Sequence, residues 1–162
     1  MKIILAIIIT VFPFITSAQD AITAENGLYT YQEVVEATGD AQELYGKAKE
    51  WFVNSYKDAN AVIQLEDAEK RKLIGKGVIN VVHTMVGRDV YHTVTIEAKD
   101  GRYRYTIDHF IIDWITDGRH TPLEKYKGKP GSKKMFERVD EEVQDLIATL
   151  KTHMSASETV EW

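Results

Sequence analysis

Between Leu73 and Trp114 the chain carries three strand-like stretches joined by links too short for a crossover helix. Parallel neighbours need a dozen or more connecting residues, so these links dictate an antiparallel sheet. Leu73–Thr84 is the first stretch, and Gly75 and Gly77 inside it predict a bulge or a bend. Val86–Asp89 reads as a turn. In Val90–Ala98 the side chains Val90, Val94, Ile96 and Ala98 alternate with Tyr91, Thr93, Thr95 and Glu97, which predicts one buried and one wet face. Lys99-Asp100-Gly101 holds an Asp-Gly hairpin signal. In Arg102–Trp114 the residues Tyr103, Tyr105 and Ile107 point one way, and Phe110, Ile112 and Trp114 the other. That phase switch predicts a bulge near His109, or cover on both faces toward the end.

The flanking segments supply the other layer. Leu28–Ala37 reads as a further strand. Asp40 and Glu43 form a capping-box pattern ahead of Ala41, Leu44, Tyr45, Ala48, Trp51, Phe52 and Tyr56, which recur at helical spacing. This predicts a helix over 41–56. Asn60–Leu65 is a short apolar strand, followed by a charged connection, Glu66–Lys72. Ile115–Gly131 reads as a long irregular segment. Ser132 is expected to cap a last helix with the core stripe Phe136, Val139, Val143, Leu146, Ile147, Leu150 and Met154. The element order is β-α-β-β-β-β-α. An α+β fold follows, with an antiparallel sheet of four or five strands and two helices on one face.

Several strings in that order resemble a family of exported bacterial domains of unknown function with a TBP-like fold. They are Gln32-Glu33-Val34-Val35, Ala41–Tyr45 with Trp51-Phe52, Val62-Ile63-Gln64, Ile74-Gly75-Lys76-Gly77 and Lys99–Tyr105. The resemblance implies a curved antiparallel sheet backed by two helices. It brings no catalytic residue, and the likeness to TBP is one of shape that does not imply DNA binding.

Residues 1–18 indicate where the chain works. Lys2 precedes the apolar run Ile3–Ile9, which Val11–Ile15 extends, and Thr16-Ser17-Ala18 offers small side chains before Gln19. That is the pattern of a secretory signal peptide cut after Ala18, and its apolar stretch is short for a membrane span. The expected organisation is a signal peptide over 1–18, a polar lead-in over 19–27, one domain over 28–154 and a polar tail over 155–162. No membrane span is expected after cleavage, and the protein is expected in the periplasm or outside the cell. The net charge of −5 argues against nucleic-acid partners, which require a basic field. With no cysteine, disulfides, thiol nucleophiles and thiolate zinc sites are excluded.

The chain shows little recognisable chemistry. Its five histidines have no metal-ligand spacing, and no metal or other cofactor is expected. No serine sits in a nucleophile elbow. Lys125, Lys127, Lys129, Lys133 and Lys134 surround the start of the last helix, where cations oppose the helix dipole. A bound anion would reverse that penalty, which makes Lys127, Lys129, Gly131, Ser132 and Lys133 a candidate anion site. A second candidate, for a peptide, glycan or protein partner, is the wet sheet face with Tyr91, Arg102 and Arg104 and, near the end of the last strand, Trp114. The Ile115–Gly131 segment is expected to fold across part of that face. The leading expectation is a non-enzymatic binding or interaction module of the cell envelope. Homodimerisation through the sheet edge or open face is a variant of it. An envelope hydrolase with an unrecognised active site is the alternative.

Overall fold

The computed structural model describes residues 22–23, 27–56, 63–83, 86–114 and 118–156. The expected signal peptide lies outside these residues, as do the first residues of the expected strand at Asn60. In chain order the elements are β1 (Ile22–Thr23), β2 (Tyr29–Glu36), α1 (Ala41–Ser55), β3 (Ile63–Asp67), β4 (Lys72–His83), β5 (Val86–Lys99), β6 (Arg102–Trp114), β7 (Arg119–Pro122), the single turn α2 (Leu123–Tyr126) and α3 (Ser132–Ser155). All strand pairings are antiparallel, in the order β1-β2-β6-β5-β4-β3, with β7 also paired to β6. The two long helices cover one face. The α+β class and the strand-rich centre are as the sequence predicts, but the sheet among the described residues has seven strands rather than four or five.

The two additional strands are short and come from segments without strand periodicity. β1 lies in the polar lead-in. β7 lies in the segment expected to be irregular, and pairs Arg119–Pro122 with Trp114–Ile111. Because β5 occupies the other side of β6, β7 shares an edge with β2 and continues the sheet in plane. The expected fold of this segment across the open face is therefore corrected. The turn expected at Val86–Asp89 is also strand, since β4 and β5 stay paired out to His83 and Val86.

Local chemistry sets the helix starts. Asp40 accepts hydrogen bonds from the backbone N–H groups of Gln42 (2.8 Å) and Glu43 (2.9 Å), while Glu43 accepts from Asp40 N–H (2.9 Å). This is the predicted capping box. Asp100, in the β5–β6 turn, accepts from Ala41 N–H at 2.8 Å and ties that hairpin to the helix. α3 starts differently. Gly131, in the left-handed region at φ 78°, occupies the cap position without a side-chain bond, and Ser132 is the first helical residue. The expectation that Ser132 caps the helix is thus corrected. A left-handed turn into the helix suits a residue without Cβ better than serine.

The core lies between the helices and one side of the sheet. α1 buries Leu44, Tyr45, Ala48, Trp51 and Phe52; α3 buries Met135, Val139, Val143, Ile147, Leu150 and Met154. Gly75 and Gly77 face α1. A Cβ on Gly75 would lie 2.5 Å from the Phe52 ring, and one on Gly77 would lie within 2.6 Å of His92 Nε2 and the Tyr56 hydroxyl. These glycines are close-approach positions that let aromatic rings sit on the backbone of β4. His92 is buried beside them, 3.3 Å from the Tyr56 hydroxyl and stacked on Phe110.

At His109, φ is +54°. The register steps from Tyr91↔Ile111 to Thr93↔Asp108, so His109 and Phe110 together oppose His92. This is the predicted bulge. Before it the odd residues Tyr103, Tyr105 and Ile107 are buried; after it the even residues Phe110 and Ile112 are.

Two outcomes follow from this packing. Gly75→Ala is expected to lower unfolding free energy by about 1–3 kcal/mol, the usual cost of overpacking, as measured by chemical denaturation. Burial pushes His92 down from its ordinary value of 6.5 to about 4. Between these values the unfolded chain binds a proton that the native chain does not, so stability falls as the pH is lowered through this window. The shift corresponds to a loss of about 3 kcal/mol. Denaturation curves at pH 7 and pH 4.5 should show a loss that is smaller in His92→Gln.

Candidate functional site

The face of the sheet away from the helices has no covering element among the described residues. It presents Lys76, Val78, Asn80 and Val82 from β4, Tyr91, Thr93, Thr95 and Glu97 from β5, and Arg102, Arg104, Thr106 and Asp108 from β6. Strand alternation alone dictates this set, because their neighbours fill the core. Downstream of the bulge the phase is reversed, so Ile111 and Asp113 join the open face instead of Ile112 and Trp114.

Around the bulge this face is hollow. A concavity of about 740 Å³ is lined in part by Lys76, Tyr91, Thr93, Asp108, His109 and His120. That volume falls within the range of small-molecule sites. Tyr91 is 40% exposed, and its ring lies parallel to that of His120, with an interplanar angle of 2° and centroids 6.4 Å apart. His120 is brought there by β7, and its Nε2 lies 3.8 Å from an Asp113 carboxylate oxygen. On the other side of the bulge, His109 Nδ1 lies 2.7 Å from an Asp108 carboxylate oxygen. The hollow thus combines aromatic surface with the Asp108–His109 pair, the His120 imidazole and the hydroxyls of Thr93 and Thr95. Left-handed backbone at a residue with a side chain costs about 1–2 kcal/mol. Bulges and such strain both concentrate where a fold re-aims side chains. Among the described residues, no group of three or more His, Asp or Glu is placed to hold a metal ion.

The residues expected to form one interaction surface are divided by the structure. Tyr91 lines the hollow. Arg102 and Arg104 share its face, but Lys99, the partner of Arg102, lies eight residues along β5 from Tyr91, a separation of about 26 Å along the strand. Arg104 is held by Glu97, with Nε at 3.0 Å and Nη2 at 2.5 Å. Trp114 lies on the opposite face. Arg88 sits 5.0 Å above its ring, Tyr126 packs against it at 5.1 Å, and its indole N–H donates to Thr121 at 3.0 Å. Grouping Trp114 with Tyr91 is therefore corrected: the bulge moves it one residue out of phase.

The basic segment does not converge. Lys127, Lys129, Lys133 and Lys134 are exposed, and Lys133 Nζ lies 3.9 Å from Glu137. A hollow at the helix start is lined by Gly131, Lys133, Lys134, Glu137, Arg138 and Glu141, so Lys127, Lys129 and Ser132 stand outside it and carboxylates share it. Ser132 N–H is already bonded to the Lys129 carbonyl at 3.0 Å. These lysines lie on an exposed turn closed by its own backbone hydrogen bonds, and of the residues expected to form the anion site Gly131 and Lys133 share the hollow.

Sequence reasoning does not single out Asp108, His109, Asp113 and His120 as a group. The phase switch at His109 is the available signal. The pairing of β7 that supplies His120 has none, because Arg119–Pro122 lacks strand alternation.

A family model for a domain of unknown function with TBP-like fold, DUF4468, matches residues 31–112. The fold is similar to the crystal structure of a DUF4468 family protein from Bacteroides ovatus ATCC 8483, with a TM-score of 0.70 and 15% sequence identity over 87% of this chain and 94% of that one. It is also similar to a TBP-like protein from Parabacteroides distasonis ATCC 8503, with a TM-score of 0.69 and 14% identity over 83% of this chain and 97% of that one. None of the curated proteins matches this chain.

Proposed function

This chain belongs to the DUF4468 family of domains of unknown function with TBP-like fold, and from that premise we propose that it is an exported, non-enzymatic binding module of the bacterial cell envelope. The observation that carries this reading is the hollow on the uncovered sheet face, with Tyr91 and His120 as its aromatic wall. A recess of this kind favours a ligand with one apolar face and several hydroxyl or amide groups, as glycans and peptides have. Tyrosine suits the role because it offers a large rigid surface with a polar tip. Export is supported by the leader pattern of residues 1–18.

Binding of purified envelope glycans and peptides is the direct test. Tyr91→Ala is expected to weaken binding at least tenfold, about 1.4 kcal/mol, while leaving the melting temperature nearly unchanged, because the side chain is partly exposed. Affinity that is indifferent to both Tyr91→Ala and His120→Ala would end this reading. A catalytic reading draws on one observation, the 2.7 Å Asp108–His109 contact, which orients an imidazole as a proton-transfer group requires. Turnover of envelope material that is lost in His109→Gln would favour it over simple binding. For export, mass spectrometry of the protein from fractionated cells should give a mature chain beginning at Gln19; an intact Met1 start would contradict secretion by cleavage.

A further inference from the structure

Among the described residues, β4 is paired on both sides only over part of its length. β3 accompanies it from Lys72 to Gly75, and from Lys76 onward its only strand partner among the described residues is β5. The other sheet margins are blunted: among the described residues β2 runs past β1 from Tyr31 to Glu36, but it carries the charges of Glu33 and Glu36. β1 has two residues, β7 has four and ends in Pro122, and β3 has five with a register break between Ile63 and Leu65 and acidic residues at its end. Short length, bulges, charge and proline are the usual devices that keep an edge from pairing. The run Gly77-Val78-Ile79-Asn80-Val81-Val82 has none of them. Val78 is 47% exposed and Val82 is 58% exposed, both on the open face.

The run is also symmetric about Asn80. In an antiparallel pairing of two identical strands centred there, Val78 meets Val82 of the other copy, Ile79 meets Val81, and Asn80 meets its own equivalent. Apolar side chains match on both faces. A shift of two residues either way would set a valine against Asn80, so the register is specified. With no charge between Gly77 and Val82, nothing in the strand repels its own copy, although the chain as a whole is acidic. Identical patches related by a two-fold axis are the commonest basis of homodimers.

We propose that the Val78–Val82 edge of β4 pairs with the same edge of a second copy, joining two sheets and two open faces into one continuous surface. A strand-to-strand contact of this length is at the small end of specific interfaces. The dimer is therefore expected to dissociate on dilution.

Sedimentation equilibrium of the processed chain across the micromolar range tests this. The expected result is a reversible monomer–dimer equilibrium. Val82→Lys and Val78→Asp alter exposed side chains, and each alone is expected to weaken association at least tenfold with its melting temperature retained. Mixing these two variants should restore a heterodimer, because the introduced lysine of one copy then faces the introduced aspartate of the other, while the two unaltered valines face each other. Mixing Val82→Lys with Asn80→Asp should not. A wild-type monomer at all concentrations would overturn the proposal, as would a dimer indifferent to Val82→Lys or a mixture that fails to recover. Slow exchange in a monomer of those amides in 78–82 that point away from β5 would also overturn it, since the edge would then be covered by the chain itself.

Discussion

A single extra residue at His109 keeps the apolar side chains of both halves of β6 on one side of the sheet. Without it, the register that buries Tyr103, Tyr105 and Ile107 would turn Phe110 and Ile112 to solvent and put Ile111 in the core. Burying a large apolar side chain is worth about 1.5–3 kcal/mol, more than the cost of one left-handed residue, so the bulge is favourable on balance. The same residue creates the recess. It sends Asp108 and His109 to one side of the irregularity and Ile111 and Asp113 to the other, all facing away from the helices.

The second constraint is the contact between α1 and β4. Aromatic rings from the end of α1 rest on Gly75 and Gly77, where any Cβ would collide. Both glycines are visible in the sequence, where their place in a strand predicts a bend or bulge. Their role is to admit Phe52, Tyr56 and His92 close to the strand, which depends on where the helix crosses the sheet and not on the strand alone.

The open face is legible because alternation in Val90–Ala98 separates wet from buried residues in any half-covered sheet. Tyr91, Arg102 and Arg104 do lie on it, yet Arg102 and Arg104 are far along the sheet from Tyr91. Distance along a strand follows from residue number, but the edge at which a recess forms follows from the bulge and from β7. Trp114 shows the cost of counting in twos across an irregularity. The lysines around Gly131 show a different limit. Charge density in sequence says nothing of whether side chains converge, and here Glu137, Glu141 and the backbone bonds of the turn intervene.

By itself the sequence determined the antiparallel centre, the two amphipathic helices, the Asp40–Glu43 cap and the irregularity at His109, because each is local and follows from side-chain period, turn chemistry or hydrogen bonding within a few residues. The tertiary structure alone decided that Arg119–Pro122 extends the sheet, that His120 reaches Tyr91, that Trp114 lies beneath Arg88, and that, among the described residues, β4 outruns β3 beyond Gly75. These are pairings between segments distant in sequence or across an edge. They depend on which backbone groups remain unpaired once the core has closed, and no period in the chain encodes that.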